Sequence, residues 1–178
     1  MSELYKNYTI VSGVGKGLTS LSAFDNALLN AGVGDYNLVK VSSILPAKCI
    51  QKNNIDIKKG SILHIAYASI STNDSKEICS TVGVAIPYEE NFTGVIMEYS
   101  QNSNDCECEL KKTCESIIIN MLNEAYNNRD RKYSDIKLVS STAKPTDDLY
   151  YCTFSGIALW WNLEWKCQIL HSFFIKKK

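Results

Sequence analysis

Residues 12 to 48 read SGVGKGLTSLSAFDNALLNAGVGDYNLVKVSSILPAK, and this stretch predicts a helix between two strands. The first strand runs from Tyr8 to Val14, and Thr19 or Ser20 is a good N-cap for the helix. Gly32 then ends the helix, because glycine readily adopts the conformation that follows a last helical turn. The residues spaced to form the apolar stripe of the helix are Leu21, Phe24, Leu28 and Ala31.

The second strand leads into a pair of serines. Tyr36 to Val41 alternates as a strand does, and Pro46 ends regular pairing shortly after Ser42-Ser43. A Ser-Ser dipeptide alone says little, because the chain has another at Ser140-Ser141. The apolar residues that flank the first pair predict a buried backbone at a tight bend, where strain can be stored. Such a bend would expose the carbonyl of residue 42 to the hydroxyl of residue 43.

Further strands and one long helix follow. The helix begins near Cys106 and presents apolar residues at i, i+3, i+4 and i+7 spacing through Ala125. Two helices with one apolar stripe each, and roughly six to eight strands, favour helices that cover the outer faces of packed, mostly antiparallel sheets. The predicted class is α+β, in a single domain of residues 1–178. The strand-like runs, of which the first three should pair antiparallel, are Ile62 to Ser71, Ser80 to Pro87, Gly94 to Ser100, Asp135 to Ala143, Tyr150 to Trp161 and a final aromatic segment from Trp165 to Ile175.

Composition narrows the classes of function. The 178 residues include 19 basic and 19 acidic side chains, so no net field attracts nucleic acid or an anionic membrane. The apolar runs are too short for a membrane span, and the amino end lacks the pattern of a secretory signal. Seven cysteines, an odd number with irregular spacing, indicate reduced thiols. We therefore expect a cytoplasmic protein that binds small molecules or other proteins.

Two motifs resemble metal or nucleotide sites but fit them poorly. Cys106, Cys108 and Cys114 lack the paired short spacings of a structural zinc site, and both histidines lie in other segments, so no metal is predicted. Ser12 to Thr19 occupies the place of a phosphate-binding loop between strand and helix, but glycine follows its lysine where a P-loop needs Ser or Thr. A flexible turn with close backbone approach is the favoured interpretation.

Residues 12 to 48, quoted above, and the hexapeptide GVIMEY at residues 94–99 are similar to the pyruvoyl-dependent arginine decarboxylases. The similarity is strong over the amino-terminal stretch and moderate from Ile62 to Tyr99. The helix near Cys106 matches by type and position, whereas Trp160 to Lys178 extends beyond the expected end of family members.

The resemblance implies an αββα sandwich that assembles as a homotrimer with active sites between neighbours. The precursor would cut itself into residues 1–42, the β chain, and residues 43–178, the α chain. Ser43 would attack the carbonyl of Ser42 and become a covalent pyruvoyl group, so that no pyridoxal phosphate is implied. Asn37 would help to hold the geometry of the cleavage.

The same resemblance assigns residues to the decarboxylation of L-arginine to agmatine and carbon dioxide. Asp25 and Ile44 would bind the substrate, and the Asp25 carboxylate would receive the guanidinium group in a two-pronged ion pair. Glu98 would donate the proton, since it shares a strand face with Ile96 and is thus a partly buried acid. The ordinary interpretations are a solvated helix residue for Asp25 and a strand face open to water for Glu98.

Two other functions stay open on the sequence alone. The chain could apply the same cofactor to another amino acid, because Asp25 is the one strong indication of a cationic side chain. Alternatively, it keeps the fold without cleaving and serves as a structural or binding subunit.

Overall fold

The computed structural model describes residues 5–161, and the predicted segment from Trp165 to Ile175 lies outside them. The described part contains two helices and nine strands. In chain order they are β1 (Asn7–Gly17), α1 (Ser20–Asn30), β2 (Asn37–Lys40), β3 (Ile44–Leu45), β4 (Ile50–Gln51), β5 (Ile62–Thr72), β6 (Glu77–Pro87), β7 (Gly94–Ser103), α2 (Glu107–Asn127), β8 (Tyr133–Ala143) and β9 (Tyr150–Trp160). Each element predicted within this range is present, and the short strands β3 and β4 are additional.

Two sheets pack face to face. One has the strand order β2-β5-β9-β1-β4 and the other has the order β3-β7-β6-β8. Their strands pair antiparallel, except that β1 is parallel to β4 and β2 is parallel to β5. α1 packs on the outer face of the first sheet and α2 on that of the second, which confirms the predicted sandwich. The residues buried between the sheets include Leu45, Val82, Ile96 and Ile157.

The predicted pairing of β5 is wrong. β6 and β7 do pair antiparallel, but β5 lies in the other sheet between β2 and β9. The physical reason is that β5 is apolar on both faces: Leu63 and Ile65 pack in the core beneath α1, whereas Ala66 faces the core between the sheets. Such a strand is buried best in the middle of a sheet that is covered on both sides.

The glycines of the Ser12–Thr19 segment allow α1 to lie directly against β1. The predicted flexible turn is wrong, because β1 continues as far as Gly17. A Cβ atom at Gly15 would lie 2.2 Å from the backbone nitrogen of Ala27, and one at Gly13 would lie 2.3 Å from the carbonyl oxygen of that alanine. The expected close backbone approach is confirmed, and its role is to pack a helix on a strand.

Thr19 caps α1, as the sequence predicts. Its hydroxyl accepts a hydrogen bond of 3.1 Å from the amide of Ser22, and the Ser22 hydroxyl accepts one of 3.0 Å from the amide of Thr19. Gly32, with φ at +76°, follows the last turn. The predicted apolar stripe is partly wrong, because Leu21 is 77% exposed while alanines fill the buried side. Only small side chains fit opposite the glycines of β1.

α2 covers the second sheet with the apolar face that its periodicity predicts. Its fully buried residues include Leu110, Cys114, Ile118 and Leu122. Within residues 5–161, neither helix has both the length and the apolar character that crossing a membrane requires.

Candidate active site

The serine pair lies where the chain passes from one sheet to the other. β2 is an edge strand of the first sheet, and β3 is an edge strand of the second. The amide of Val41 donates a hydrogen bond of 3.1 Å to the carbonyl of Ile65 in the first sheet, and the amide of Ile96 donates one of 2.9 Å to the carbonyl of Ser43 in the second. The chain therefore changes sheets at Ser42.

The carbonyl of Ser42, which is the group predicted to be attacked, already has a hydrogen-bond donor. The amide of Ile44 donates to it at 2.9 Å. A donor at this oxygen favours the negative charge that would develop there during nucleophilic attack. Ile44 thus contributes a backbone group at the crossing, and the residue itself is 38% exposed.

The expectation of a buried and strained bend is wrong. Ser42 is exposed and Ser43 is half-buried. Among residues 5–161, the non-glycine residues with positive φ are Lys48 and Asp130, so neither serine has the backbone conformation that stores strain. The physical reason is the topology, because two edge strands leave the connection between them open on one side.

Glu98 lies on β7, the strand whose Ile96 amide binds the carbonyl of Ser43. Ile96 packs between the sheets, and strand alternation places Glu98 on that same face, roughly 7 Å further along the strand. Its Oε1 atom forms an ion pair of 2.9 Å with Nζ of Lys40, and its side chain is 24% exposed. Its Oε2 atom is buried and has no hydrogen-bond partner among the described residues. The interpretation as a partly buried acid is therefore favoured over an open strand face.

Lys40 and Tyr67 belong to this site but were not identified from the sequence. Nζ of Lys40 lies 4.7 Å from the centre of the Tyr67 ring. This cation–π contact stabilises the ammonium group. The ring centres of Tyr67 and Phe154 are 5.1 Å apart. The Lys40–Glu98 pair joins strands of different sheets, so no local pattern in the sequence signals it.

Asp25 stays apart from this cluster within one chain. It is exposed on α1, and no described residue forms an ion pair with it. Leu21 and Leu29, one turn away on either side, are 77% and 51% exposed. The preceding residue, Phe24, faces the site more closely, since its ring centre lies 6.4 Å from that of Tyr67. Asp25 therefore lies between two exposed leucines on α1, and the structure does not bring it to Glu98 or to the serine pair within one chain.

Asn37 lies at the opposite end of β2 from the serine pair. Its side-chain amide donates a hydrogen bond of 2.7 Å to the carbonyl of Gly60, and its backbone amide donates one of 3.0 Å to Ser61. Within this chain, Asn37 fixes the start of β2 against the turn before β5, and the structure does not bring it to Ser42.

The three cysteines near the start of α2 have different surroundings. Cys106 and Cys108 are exposed at the start of α2, whereas Cys114 is buried against β6. A hydrogen bond between the thiols of Cys114 and Cys79 lowers the pKa of Cys79 to about 7 and raises that of Cys114. The described residues contain no group of three potential ligands arranged for a metal ion.

One cavity of the described chain lies close to β3 but does not include the serine pair. It has a volume of about 330 Å³ and lies beyond β3, where Pro46, Cys49 and Phe92 are among its lining residues. Ser43 and Glu98 do not line it. This cavity is therefore separate from the candidate site.

Residues 7–162 match the sequence profile of the family described as pyruvoyl-dependent arginine decarboxylase. The chain belongs to this family. An enzyme with that name from Methanococcus maripaludis strain C7 is 33% identical over 155 residues, which cover 86% of this chain and 90% of the relative. The enzyme from Methanocaldococcus jannaschii is 31% identical over 161 residues, with 90% and 93% covered. That from Pyrococcus abyssi is 32% identical over 139 residues, with 76% and 84% covered.

Membership in this family makes the protein a carboxy-lyase with a covalent pyruvoyl group as its cofactor. The residues at the crossing fit such a group. Ser43 carries the hydroxyl that the chemistry requires, and the preceding carbonyl is polarised by the amide of Ile44. Glu98, on the strand whose Ile96 amide binds the Ser43 carbonyl, adds a buried carboxylate oxygen that has no hydrogen-bond partner among the described residues.

Proposed function

We propose that the chain cleaves itself between Ser42 and Ser43, and that the product converts L-arginine to agmatine and carbon dioxide. The observation that carries the proposal is the Oε2 atom of Glu98, which is buried and has no hydrogen-bond partner among residues 5–161. Glu98 lies on the strand whose Ile96 amide binds the carbonyl of Ser43. A catalytic acid and the residue that would become the cofactor are thereby held by one strand.

The cleavage uses atoms that the crossing already presents. The Ser43 hydroxyl adds to the Ser42 carbonyl, the peptide C–N bond breaks, and an ester replaces the amide. Elimination then releases the Ser42 carboxylate as the end of the 1–42 fragment. One water molecule replaces the freed nitrogen, which leaves as ammonia, and residue 43 becomes a ketone. The Ile44 amide would stabilise the oxyanion of the first step at Ser42.

In the decarboxylation, the pyruvoyl group supplies the electron sink that accepts the bonding pair as carbon dioxide leaves. The chain's own residues bind and protonate. Asp25 would receive the guanidinium group in a two-pronged ion pair, and the Ile44 side chain would contact the substrate's apolar stem. Glu98 would hold a proton at Oε2 and deliver it to the substrate's α-carbon.

The two fragments stay together after cleavage. Residues 1–42 contribute β1, α1 and β2, and β1 pairs with β9 along its whole length from Asn7 to Gly17. α1 buries Ala23 and Ala27 in the core beneath it. Removing this fragment would expose a core and leave strand edges unpaired, so the cleaved protomer is expected to stay associated without a covalent link.

We further propose that three such protomers form a homotrimer with the active sites at their contacts. Exposed leucines around Asp25 and the open side of the Ser42–Ser43 crossing both support coverage by a neighbour. Asn37 lies far from the serine pair of its own chain. In the trimer it would hold the cleavage geometry of a neighbouring protomer, or it would act within its own chain by fixing the start of β2. The odd number and irregular spacing of the seven cysteines favour a cytoplasmic enzyme, and the balanced charge favours a small-molecule substrate over nucleic acid.

Mass analysis under denaturing conditions tests the proposal first. We expect fragments corresponding to residues 1–42 and to residues 43–178 with a pyruvoyl end, whereas a single intact mass would support a non-catalytic subunit. Agmatine release should then be measured with L-arginine, and lysine and ornithine serve as competing substrates. Borohydride reduction in the presence of L-arginine should add mass at residue 43 and stop turnover; activity that survives with no added mass contradicts the proposal.

A further inference from the structure

We propose that Lys40 is a positioning residue for Glu98, an inference that rests on the proposed function. Lys40 binds Oε1 of the carboxylate and thereby leaves Oε2 directed toward the reaction centre as the atom that carries the proton. Its role is thus exerted through Glu98 and not on the substrate.

The contacts of Glu98 show why it needs this residue. The Lys40 ammonium group, 2.9 Å from Oε1, is the one ion-pair partner of the carboxylate among the described residues, and Oε2 has no hydrogen-bond partner among them. A glutamate side chain has three rotatable bonds, and a half-buried carboxylate without a partner would reorient or attract water. Removing the ammonium group therefore frees the whole carboxylate and not only one of its oxygens.

Lys40 is itself held on two sides. Its ammonium group lies against Glu98 and over the ring of Tyr67, at 4.7 Å from the ring centre. The Tyr67 ring packs in turn against Phe154, with ring centres 5.1 Å apart. A lysine normally samples many rotamers, and these contacts select a narrow set although half of its side chain is exposed.

A role as the receptor of the substrate's carboxylate is disfavoured by the same geometry. The ammonium group of Lys40 already lies 2.9 Å from Oε1 of Glu98, so it is not free to bind a second carboxylate. An ion pair with the carboxylate that must leave as carbon dioxide would also stabilise the ground state and slow the reaction.

The Lys40–Glu98 ion pair joins the two fragments that the cleavage would produce. Lys40 belongs to the 1–42 fragment and Glu98 belongs to the 43–178 fragment.

The test is Lys40→Met, which keeps the length of the side chain and removes the charge. We expect normal cleavage by mass, and kcat per cleaved chain lower by about 10- to 100-fold, because a displaced general acid loses much of its effect. The KM for L-arginine and the calorimetric Kd for agmatine, which has no carboxylate, should both stay within about twofold. Lys40→Arg should recover most of kcat, and Lys40→Gln should reproduce the loss.

Lys16→Met is the matched control. Lys16 also pairs with a carboxylate, Asp147 at 3.4 Å, and also lies over a ring, that of Tyr151 at 5.9 Å from its centre. Its side chain is 56% exposed, close to the 50% of Lys40. Because this pair lies away from the serine crossing, the variant should keep the parent kcat.

A double-mutant cycle decides whether Lys40 acts through Glu98. In a Glu98→Gln background, Lys40→Met should cost no more than about another twofold in kcat. Full additivity of the two losses would overturn the inference, as would a raised KM for L-arginine with unchanged agmatine binding. Failure of Lys40→Met to cleave while Lys40→Arg cleaves would place the residue in maturation and also overturn it. An inactive parent protein would refute the proposed function itself, whereas an active parent with a fully active Lys40→Met refutes only the role of Lys40.

Discussion

The chain contains two Ser-Ser pairs, and the fold gives them opposite surroundings. Ser140 and Ser141 lie inside β8, which pairs with β6. The hydroxyl of Ser140 donates a hydrogen bond of 3.0 Å to Oε1 of Glu115, and that of Ser141 donates one of 3.0 Å to the carbonyl of Phe154. Both hydroxyls are therefore occupied, and the backbone between them is fixed in a sheet.

At Ser42 and Ser43 the arrangement is reversed. The pair lies between two edge strands, and neither hydroxyl has a hydrogen-bond partner among the described residues. The carbonyls are held instead, that of Ser42 by the Ile44 amide and that of Ser43 by the Ile96 amide. A hydroxyl without a partner beside a polarised carbonyl suits the proposed attack better than a bonded hydroxyl within a sheet. The position in the fold, and not the dipeptide, separates the two pairs.

The largest expected effect is that of Ser43→Ala. Without the hydroxyl no ester forms, so the precursor should stay whole and agmatine production should fall to background. Ser141→Ala, in the other pair, is the control and should cleave normally. Denaturing mass analysis of both variants checks this, and fragments cut at the same bond in Ser43→Ala would rule out serine attack.

The next effect in size is that of Glu98→Gln. Cleavage should persist, because the proton from Glu98 is needed only after carbon dioxide has left, while kcat should fall by roughly 100- to 10,000-fold. Glu77→Gln is a matched control, since Glu77 is also a partly buried strand residue with a lysine partner, Lys144 at 4.0 Å. If cleaved Glu98→Gln protein turns over normally and has lost only stability, Glu98 has no part in the chemistry.

Local sequence patterns were sufficient for much of the fold. The cap at Thr19, the helix that ends before Gly32 and the apolar period of α2 all depend on residues close in sequence, and the structure contains each of them. The face of Glu98 was predictable for the same reason, because strand alternation relates it directly to Ile96.

Features that depend on sheet stacking were not predictable. The exposure of Ser42 follows from the placement of β2 and β3 at two sheet edges, which its apolar neighbours do not reveal. The Lys40–Glu98 pair requires the two sheets to be in register face to face. The exposure of Leu21 depends on how closely α1 can approach the glycines of β1.

A smaller effect is expected for Asp25→Asn, which concerns substrate binding and not the serine pair itself. Loss of a charge-assisted pair to guanidinium should raise the KM for L-arginine on the order of 10- to 100-fold, with cleavage intact. Asp35→Asn is the control, because Asp35 is also exposed but pairs with Lys59 in its own chain. An unchanged KM would remove Asp25 from the site.

Mixing variants shows whether Asp25 serves a neighbour's Ser43. Neither Ser43→Ala nor Asp25→Asn protein should have normal activity alone. Mixed trimers would contain contacts that combine an intact Asp25 from one protomer with an intact Ser43 from the next, so activity at low L-arginine should reappear. No recovery in verified mixed trimers would place both residues in one protomer's site.

The smallest expected effect is on the free energy of unfolding, and it compares one serine from each pair. Ser141→Ala removes a hydroxyl that is 7% exposed and bonded to Phe154, which should lower the free energy of unfolding by about 1 kcal/mol. Ser42→Ala removes an exposed hydroxyl without a described partner and should change it by less than about 0.5 kcal/mol. Urea unfolding should be followed in a Ser43→Ala background, so that every chain is uncleaved, and at one protomer concentration, because assembly shifts apparent stability. Equal losses for the two variants would mean that the Ser42 hydroxyl is bonded in the assembled protein, and it would contradict the contrast between a free pair and a fixed one.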